Sequence, residues 1–150
     1  MLDDLVQNIA RLMREQAAAY RQIDAVTAQL AAALVRGEPE IIESLTRAGE
    51  SQLLKMRSRL LQIMSALTTF AETRARAEGQ IMLKPETRSE FETASSDLME
   101  SARAFQRTNN RASSLAIGGS SFAAACIQMC GVPPTTYRAP YSRCKVESDR

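Results

Sequence analysis

The sequence predicts an all-α protein: an elongated antiparallel helical hairpin and a third helix, packed as a three-helix coiled-coil-like bundle. Three observations predict this fold class. Apolar residues recur at alternating steps of three and four in three long segments. Aromatic residues make up only 5% of the chain and Trp is absent, which suits helices packed along a seam of small and aliphatic side chains. A glycine–proline corner separates the first two segments.

The first segment carries five heptads in phase, which predicts a helix over residues 2–36. Such a helix has a long, narrow apolar stripe that cannot be buried without a neighbour. Its stripe consists of Leu2, Leu5, Ile9, Leu12, Gln16, Ala19, Ile23, Val26, Leu30 and Ala33.

The corner lies in the stretch LAAALVRGEPEIIESL, residues 30–45. Gly37 is the residue that most easily adopts the left-handed conformation at a helix end, and Pro39 suits the first turn of the next helix. Glu38, Glu40 and Glu43 place negative charge at the positive end of that second helix. One helix therefore ends and another begins within about three residues, which favours an antiparallel hairpin.

The second segment predicts a helix over about residues 39–78, with one stutter in the heptad spacing. Its predicted core stripe is Ile42, Leu45, Gly49, Leu53, Met56, Leu60, Ile63, Leu67 and Phe70. Gly79 and the pair Lys84-Pro85 mark the second corner, because the residue before proline avoids helical geometry.

A third helix is predicted over about residues 86–129, beginning near Glu86. Its stripe is less apolar than the others, and residues 118–121 (GGSS) are expected to interrupt it. From Gly131 the chain carries three prolines and no periodicity, which predicts a disordered tail. The predicted organisation is a helical domain over residues 1–130 and a flexible tail over 131–150. The third stripe consists of Phe91, Ala94, Leu98, Ser101, Phe105, Thr108, Ala112 and Leu115.

The amino-acid composition argues against several classes of function. The formal net charge is +2 and there is no His, so nothing indicates broad capture of nucleic acid. The acidic start MLDDLV does not resemble a basic signal peptide, and the uncharged stretch 112–136 is broken by glycines and prolines, which argues against a membrane span. Three cysteines without a secretory signal indicate free thiols in a reducing cytoplasm.

No group of residues predicts catalysis or metal binding, so neither an enzyme nor a cofactor is expected. Paired carboxylates, a Ser–His grouping and a phosphate-binding loop are all missing at catalytic spacing. A zinc site needs four ligands, and Cys126, Cys130 and Cys144 supply three thiolates. A carboxylate or a second chain would have to supply the fourth ligand. Small buried side chains are therefore the default interpretation of these cysteines, and a redox role is the alternative.

The order of these parts resembles the FlgN family of flagellar export chaperones over roughly residues 2–140. The resemblance rests on the corner AALVRGEPEII, on SQLLKMRSRLLQIM in the second helix, on RTNNRASSLAIGGSSF in the third and on TTYRAP in the tail. The tail departs from the family pattern, because Pro140 and Tyr141 follow where the family often has a glycine. The spacing of Cys126 and Cys130 is not a family feature.

The resemblance implies a cytoplasmic chaperone for the hook–filament junction proteins FlgK and FlgL. Such a chaperone binds the C-terminal segments of these substrates and delivers them to the type III export gate protein FlhA. The corresponding substrate-binding candidates are Leu98, Phe105, Leu115, Ile117 and Phe122. Packing on the first two helices is the alternative for Leu98 and Phe105, whereas the position of Ile117 and Phe122 around and beyond the glycine pair favours a partner surface.

Tyr137 is the candidate for docking to the export gate, since a tyrosine combines a large apolar face with a hydroxyl group. A bystander role in a disordered tail is the alternative for this residue, and Tyr141 is a second choice.

Two other function classes stay open. A structural coiled-coil adaptor or oligomerisation protein would show the same heptads, because a seam can close within one chain or between chains. An assembly chaperone for an unrelated secreted filament would differ only in its client. The weak third stripe and the uncharged apolar end favour a chaperone, because a structural rod would usually protect such a surface with charge.

Overall fold

The computed structural model describes residues 2–77 and 82–129, without the side chains of residues 127 and 128. Three α-helices account for nearly all of the described residues: α1 (Leu2–Arg36), α2 (Pro39–Arg76) and α3 (Pro85–Met129). The contacts between residues divide the chain into two compact units, with the boundary after Leu115. The first unit holds α1, α2 and most of α3, and the second holds the remaining described residues of α3, 116–129. The predicted all-α three-helix bundle is confirmed.

The corner between α1 and α2 has the geometry that its sequence predicts. Gly37 adopts a φ of 68°, in the left-handed region. The Gly37 N–H donates to the Leu34 carbonyl (3.4 Å) and the Glu38 N–H donates to the Ala33 carbonyl (3.2 Å), the pattern of a Schellman motif. Pro39 is the first residue of α2. The corner thus satisfies two carbonyls at the end of α1 and reverses the chain at once.

α1 and α2 pack antiparallel along their length. Near the corner, the Gln52 side-chain amide donates to Gln22 across the two helices at 3.1 Å. Further from it, Arg59 lies 3.6 Å from Glu15. Residue numbers rise on one helix as they fall on the other, which is the register of a hairpin.

α3 returns alongside α1 in the same direction. The Lys84 N–H, just before α3, donates to the Asp3 carboxylate at 3.1 Å. Farther along, Arg14 and Arg21 on α1 pair with Glu90 (3.6 Å) and Asp97 (2.8 Å) on α3. These contacts align the start of α3 with the start of α1.

α1 is the central helix of the first unit. Twelve of its residues are buried, against two of α2, Met56 and Ile63. One side of α1 faces α2 through Glu15 and Gln22, and the adjacent side faces α3 through Arg14 and Arg21. α1 therefore has two packing seams. The second seam consists of Val6, Ala10, Met13, Ala17, Tyr20, Asp24, Thr27 and Ala31, again at steps of four and three.

The core of the first unit has two clusters. All three helices meet in the first, where Ile9, Ile63 and Ala94 are buried and Leu98 packs beside them. The second joins Ile23 of α1 to Met56 of α2. Tyr20 and Phe105 pack against this second cluster, with ring centroids 5.8 Å apart. The seam residues of all three helices contribute, which is the packing that heptad spacing predicts.

Several predicted boundaries differ from the structure. α3 begins at Pro85, one residue before the predicted start, because proline has no N–H to lose in a first turn. The predicted end of α3 at residue 129 agrees with the structure: the helix runs through residues 118–121 without a break and ends at Met129. No atom would contact a Cβ added at Gly118 or Gly119.

α2 ends at Arg76, two residues before the predicted end at 78, and the N–H of its cap residue Ala77 donates to the Arg74 carbonyl at 3.3 Å. The corner at Gly79 and the tail 131–150 lie outside the described residues.

None of the helices, searched over the residues that the structure describes, combines the length and apolarity needed to cross a membrane.

Candidate partner-binding surfaces

The last turns of α3 form an uncharged and largely exposed surface. Residues 112–129 contain no Asp, Glu, Lys or Arg. Within the second unit, Ile117 is 68% exposed, Phe122 73% and Met129 81%. Large apolar side chains of this kind gain free energy when a partner removes them from water. This part of α3 can therefore bind an apolar surface.

The helical geometry of residues 116–129 separates the two candidates that the sequence grouped together. Phe122 and Met129 are seven residues apart and lie on nearly the same face. Ile117 precedes Phe122 by five residues, which places it about 140° away around a helix of 3.6 residues per turn. Phe122 and Met129 can contact one partner helix together, whereas Ile117 faces a different direction.

The other three substrate-binding candidates lie in the first unit. Leu98 packs against the first core cluster and Phe105 against the second, as their alternative interpretation expects. Leu115 is half-buried and ends this unit. Leu98 and Phe105 thus have partners within the chain, and a role for them in substrate binding stays a prediction.

Some predicted residues cannot be placed. Tyr137, Tyr141, Cys130 and Cys144 lie outside the described residues. Cys126 is a half-buried free thiol in the second unit. Over residues 2–77 and 82–129, no group of three or more His, Cys, Asp or Glu side chains is arranged to hold a metal ion.

The structure also exposes an apolar surface on α2 that the sequence interpretation missed. Leu54 and Leu61 are 69% and 60% exposed, and they have neighbours on the same side of the helix. Together the exposed apolar side chains span an arc of about 120° at 3.6 residues per turn. We call this set the α2 patch: Leu53, Leu54, Leu60, Leu61 and Met64.

Two members of the α2 patch were predicted in the core, and this prediction was wrong. Leu53 and Leu60 each precede a buried residue, Met56 or Ile63, by three positions and lie about 60° around the helix from it. α1 covers only a narrow stripe of α2 centred on the buried pair. The apolar arc of α2 is wider than one seam, and that width was the available signal.

A cleft of about 520 Å³ lies where α1 begins, α2 ends and α3 begins. Its apolar lining consists of Val6, Ile9, Phe70, Met82, Leu83 and Phe91. At its edge the Arg88 guanidinium donates to the Glu92 carboxylate at 2.9 Å. Volumes of this order suit small ligands. Arg88 and Glu92 pair with each other, whereas the Arg74 guanidinium, which also lines the cleft, has no hydrogen bond or ion pair with any described residue.

In comparisons with known proteins, no family model, no curated protein and no solved structure matches this chain.

Proposed function

We propose that this protein is a cytoplasmic type III flagellar export chaperone. In this proposal it binds the C-terminal segments of hook–filament junction proteins of the FlgK and FlgL type and delivers them to the export gate protein FlhA. The observation that carries the proposal is the exposed apolar end of α3, where Phe122 and Met129 share one face of an uncharged helix. The resemblance to the FlgN family supplies the client and the gate.

An amphipathic helix of the client fits this surface physically. Its apolar face can cover Phe122 and Met129, which have no charged neighbour within 112–129 to interfere. Burial of each such side chain contributes about 1.5–3 kcal/mol before ordering costs. A few anchors of this size are enough for micromolar binding.

The test uses calorimetry to measure how tightly the purified full-length chain binds the C-terminal segment of a hook-junction protein. We expect Phe122→Asp to weaken binding by about 10- to 150-fold, the factor equivalent to 1.5–3 kcal/mol. Ser120→Asp is the matched control, because it adds the same charge about 160° away on the same helix. Equal binding by wild type and Phe122→Asp, with unchanged helicity, would contradict the proposed site.

Delivery is tested separately through Tyr137. We expect Tyr137→Ala to reduce capture of the protein by the cytoplasmic domain of FlhA while client binding remains normal. Unchanged capture would remove Tyr137 from the gate-binding residues without affecting the client site.

A coiled-coil adaptor is the second candidate function, and the α2 patch is the observation that favours it. An adaptor that binds a helix of another protein needs a free apolar helix face, which the α2 patch provides. Self-association to a defined oligomer, with no uptake of a hook-junction segment on co-expression, would favour this function over the chaperone.

A further inference from the structure

The α2 patch has an unusual charge environment. Residues 51–71 contain three cations, Lys55, Arg57 and Arg59, and no carboxylate. Arg59 lies on the α1 side of the helix, 3.6 Å from Glu15. Lys55 lies about 160° around the helix from Arg57. Arg57 is therefore the cation that belongs to the patch.

Arg57 occupies the middle of the α2 patch. It is three or four positions from Leu53, Leu54, Leu60 and Leu61, so it is their neighbour on the helix surface. Its side chain makes no hydrogen bond or ion pair with any residue of the described chain. A partner that covers the leucines would also cover this guanidinium, and a buried charge without a counter-charge is costly.

A second copy of this chain fits the patch poorly. In a two-fold symmetric helix pair, each residue of the patch meets the patch of the other copy. Overlap of the leucines then brings the two Arg57 side chains within about one helical turn of each other in either orientation. No carboxylate between residues 51 and 71 can compensate them. Self-pairing through this face would therefore bury two like charges.

An anionic membrane surface also fits poorly. Helices that lie on membranes keep their cations on the polar face, where these can contact lipid headgroups while the apolar face enters the bilayer. Here Arg57, which has no ion-pair partner among the described residues, is inside the apolar surface. The spacing of Leu53 and Leu60, and of Leu54 and Leu61, is seven residues, which suits knobs of a neighbouring helix.

We propose that the α2 patch is a docking site for an amphipathic helix of another protein that carries a carboxylate in the middle of its apolar face. The carboxylate pairs with Arg57, and the flanking apolar residues cover Leu53, Leu54, Leu60, Leu61 and Met64. A guanidinium–carboxylate pair is strong and directional, so Arg57 selects the partner while the leucines contribute affinity. This surface is independent of the end of α3 and goes beyond the proposed function.

The test uses two synthetic helical peptides of about three heptads with leucine at the seam positions. One peptide carries Glu at the central seam position and the other carries Lys. Fluorescence anisotropy measures their affinity for the full-length chain. We expect the Glu peptide to bind at least about 10-fold tighter than the Lys peptide, because Glu attracts the Arg57 guanidinium and Lys repels it.

Charge reversal provides the decisive variant. We expect Arg57→Glu to reverse the preference, so that the Lys peptide binds tighter. Lys55→Glu is the matched control, because it makes the same charge change on the other side of α2 and should leave the preference unchanged. The double variant Leu54→Ser/Leu61→Ser should weaken both peptides by at least about 10-fold with unchanged helicity by circular dichroism.

Several results would overturn the proposal. Absence of peptide binding, equal affinity for the two peptides, or no reversal in Arg57→Glu would show that Arg57 does not select a carboxylate. A concentration-dependent dimer that Leu61→Asp dissociates would identify a second copy as the occupant. Arg57-dependent binding to phosphatidylglycerol vesicles, with no peptide binding, would identify a membrane. These peptide experiments contain no export client, so their outcome does not decide whether the proposed chaperone function is correct.

Discussion

Gln16 is a polar side chain in the seam between α1 and α2, and its replacement by Leu should stabilise the protein. The residue is 1% exposed. Its Nε2 donates to the Met56 carbonyl at 3.3 Å, and its Oε1 has no hydrogen-bond partner. Leu has a similar volume, so the change alters polarity more than packing.

The size of the stability change follows from the side-chain nitrogen and oxygen of Gln16. Removing a buried acceptor without a partner recovers about 1–3 kcal/mol, whereas losing a neutral hydrogen bond costs about 0.5–1.5 kcal/mol. The bond at 3.3 Å is longer than the usual range of about 2.7–3.2 Å, so its loss belongs at the low end of that cost. We expect Gln16→Leu to raise the free energy of unfolding by about 1–2 kcal/mol.

Urea unfolding followed by circular dichroism at 222 nm measures this difference, with calorimetry as an independent readout. The expected gain corresponds to a rise of about 2–4 °C in Tm per kcal/mol for a chain of this size. Gln16→Ala is the control, because it removes the same polar atoms but leaves a cavity and should destabilise the protein. A loss of more than about 1 kcal/mol in Gln16→Leu would refute the reasoning, since the single hydrogen bond would then outweigh the orphaned oxygen.

Three further predictions concern stability and use the same unfolding measurement. Ile9→Ala, at a fully buried position where all three helices meet, should cost about 2–5 kcal/mol; a cost below about 1 kcal/mol would contradict the observed core. Gly37→Ala should destabilise by about 1–2 kcal/mol because φ is 68°, while Gly49→Ala inside α2 should stabilise by about 0.5–1 kcal/mol because no atom contacts the added Cβ. Arg21→Ala should cost about 1 kcal/mol, since its pair with Asp97 at 2.8 Å is partly exposed to water and its hydrogen bond to the buried Ser101 hydroxyl at 3.1 Å is also lost; added salt should remove the part due to the ion pair.

The helices and the first corner could be predicted because their causes are local. Gly37 and Pro39 act through their own backbone geometry, and heptads act through spacing along one helix. The predicted range of the third helix, 86–129, included the glycine pair at 118–119, although these glycines were expected to interrupt its apolar stripe. Glycine lowers helix propensity by only about 1 kcal/mol, and the flanking Ala-rich turns support the helix. The observed α3 continues to Met129.

Interactions between helices were harder to predict. α1 has two seams, but the sequence interpretation assigned it one. Its second stripe contains Ala10, Ala17, Thr27 and Asp24, which look like surface residues because they are small or polar. Only the position of α3 beside α1 makes this stripe part of the core. Regular steps of four and three from Val6 to Ala31 were the available signal.

Of the two candidate surfaces, the sequence indicated one and missed the other. Exposure of Ile117 and Phe122 was expected from an uncharged apolar segment near the end of the chain, and the structure leaves both exposed. The α2 patch was missed, because Leu53 and Leu60 follow the heptad spacing as well as the buried Met56 and Ile63 do, and only the width of the apolar arc on α2 distinguishes them. Spacing alone does not tell how wide a stripe the neighbouring helix covers.

The amino-acid sequence by itself determined that this chain forms long helices, where the first two meet and which faces are apolar, because backbone preferences and helical periodicity act over a few residues. The tertiary structure alone decided which helix is central and which apolar side chains lack a cover. Those outcomes depend on how many neighbours each helix has, and two helices of equal apolarity differ in burial when one packs between the other two. α1 is such a central helix, and the open face of α2 is the consequence.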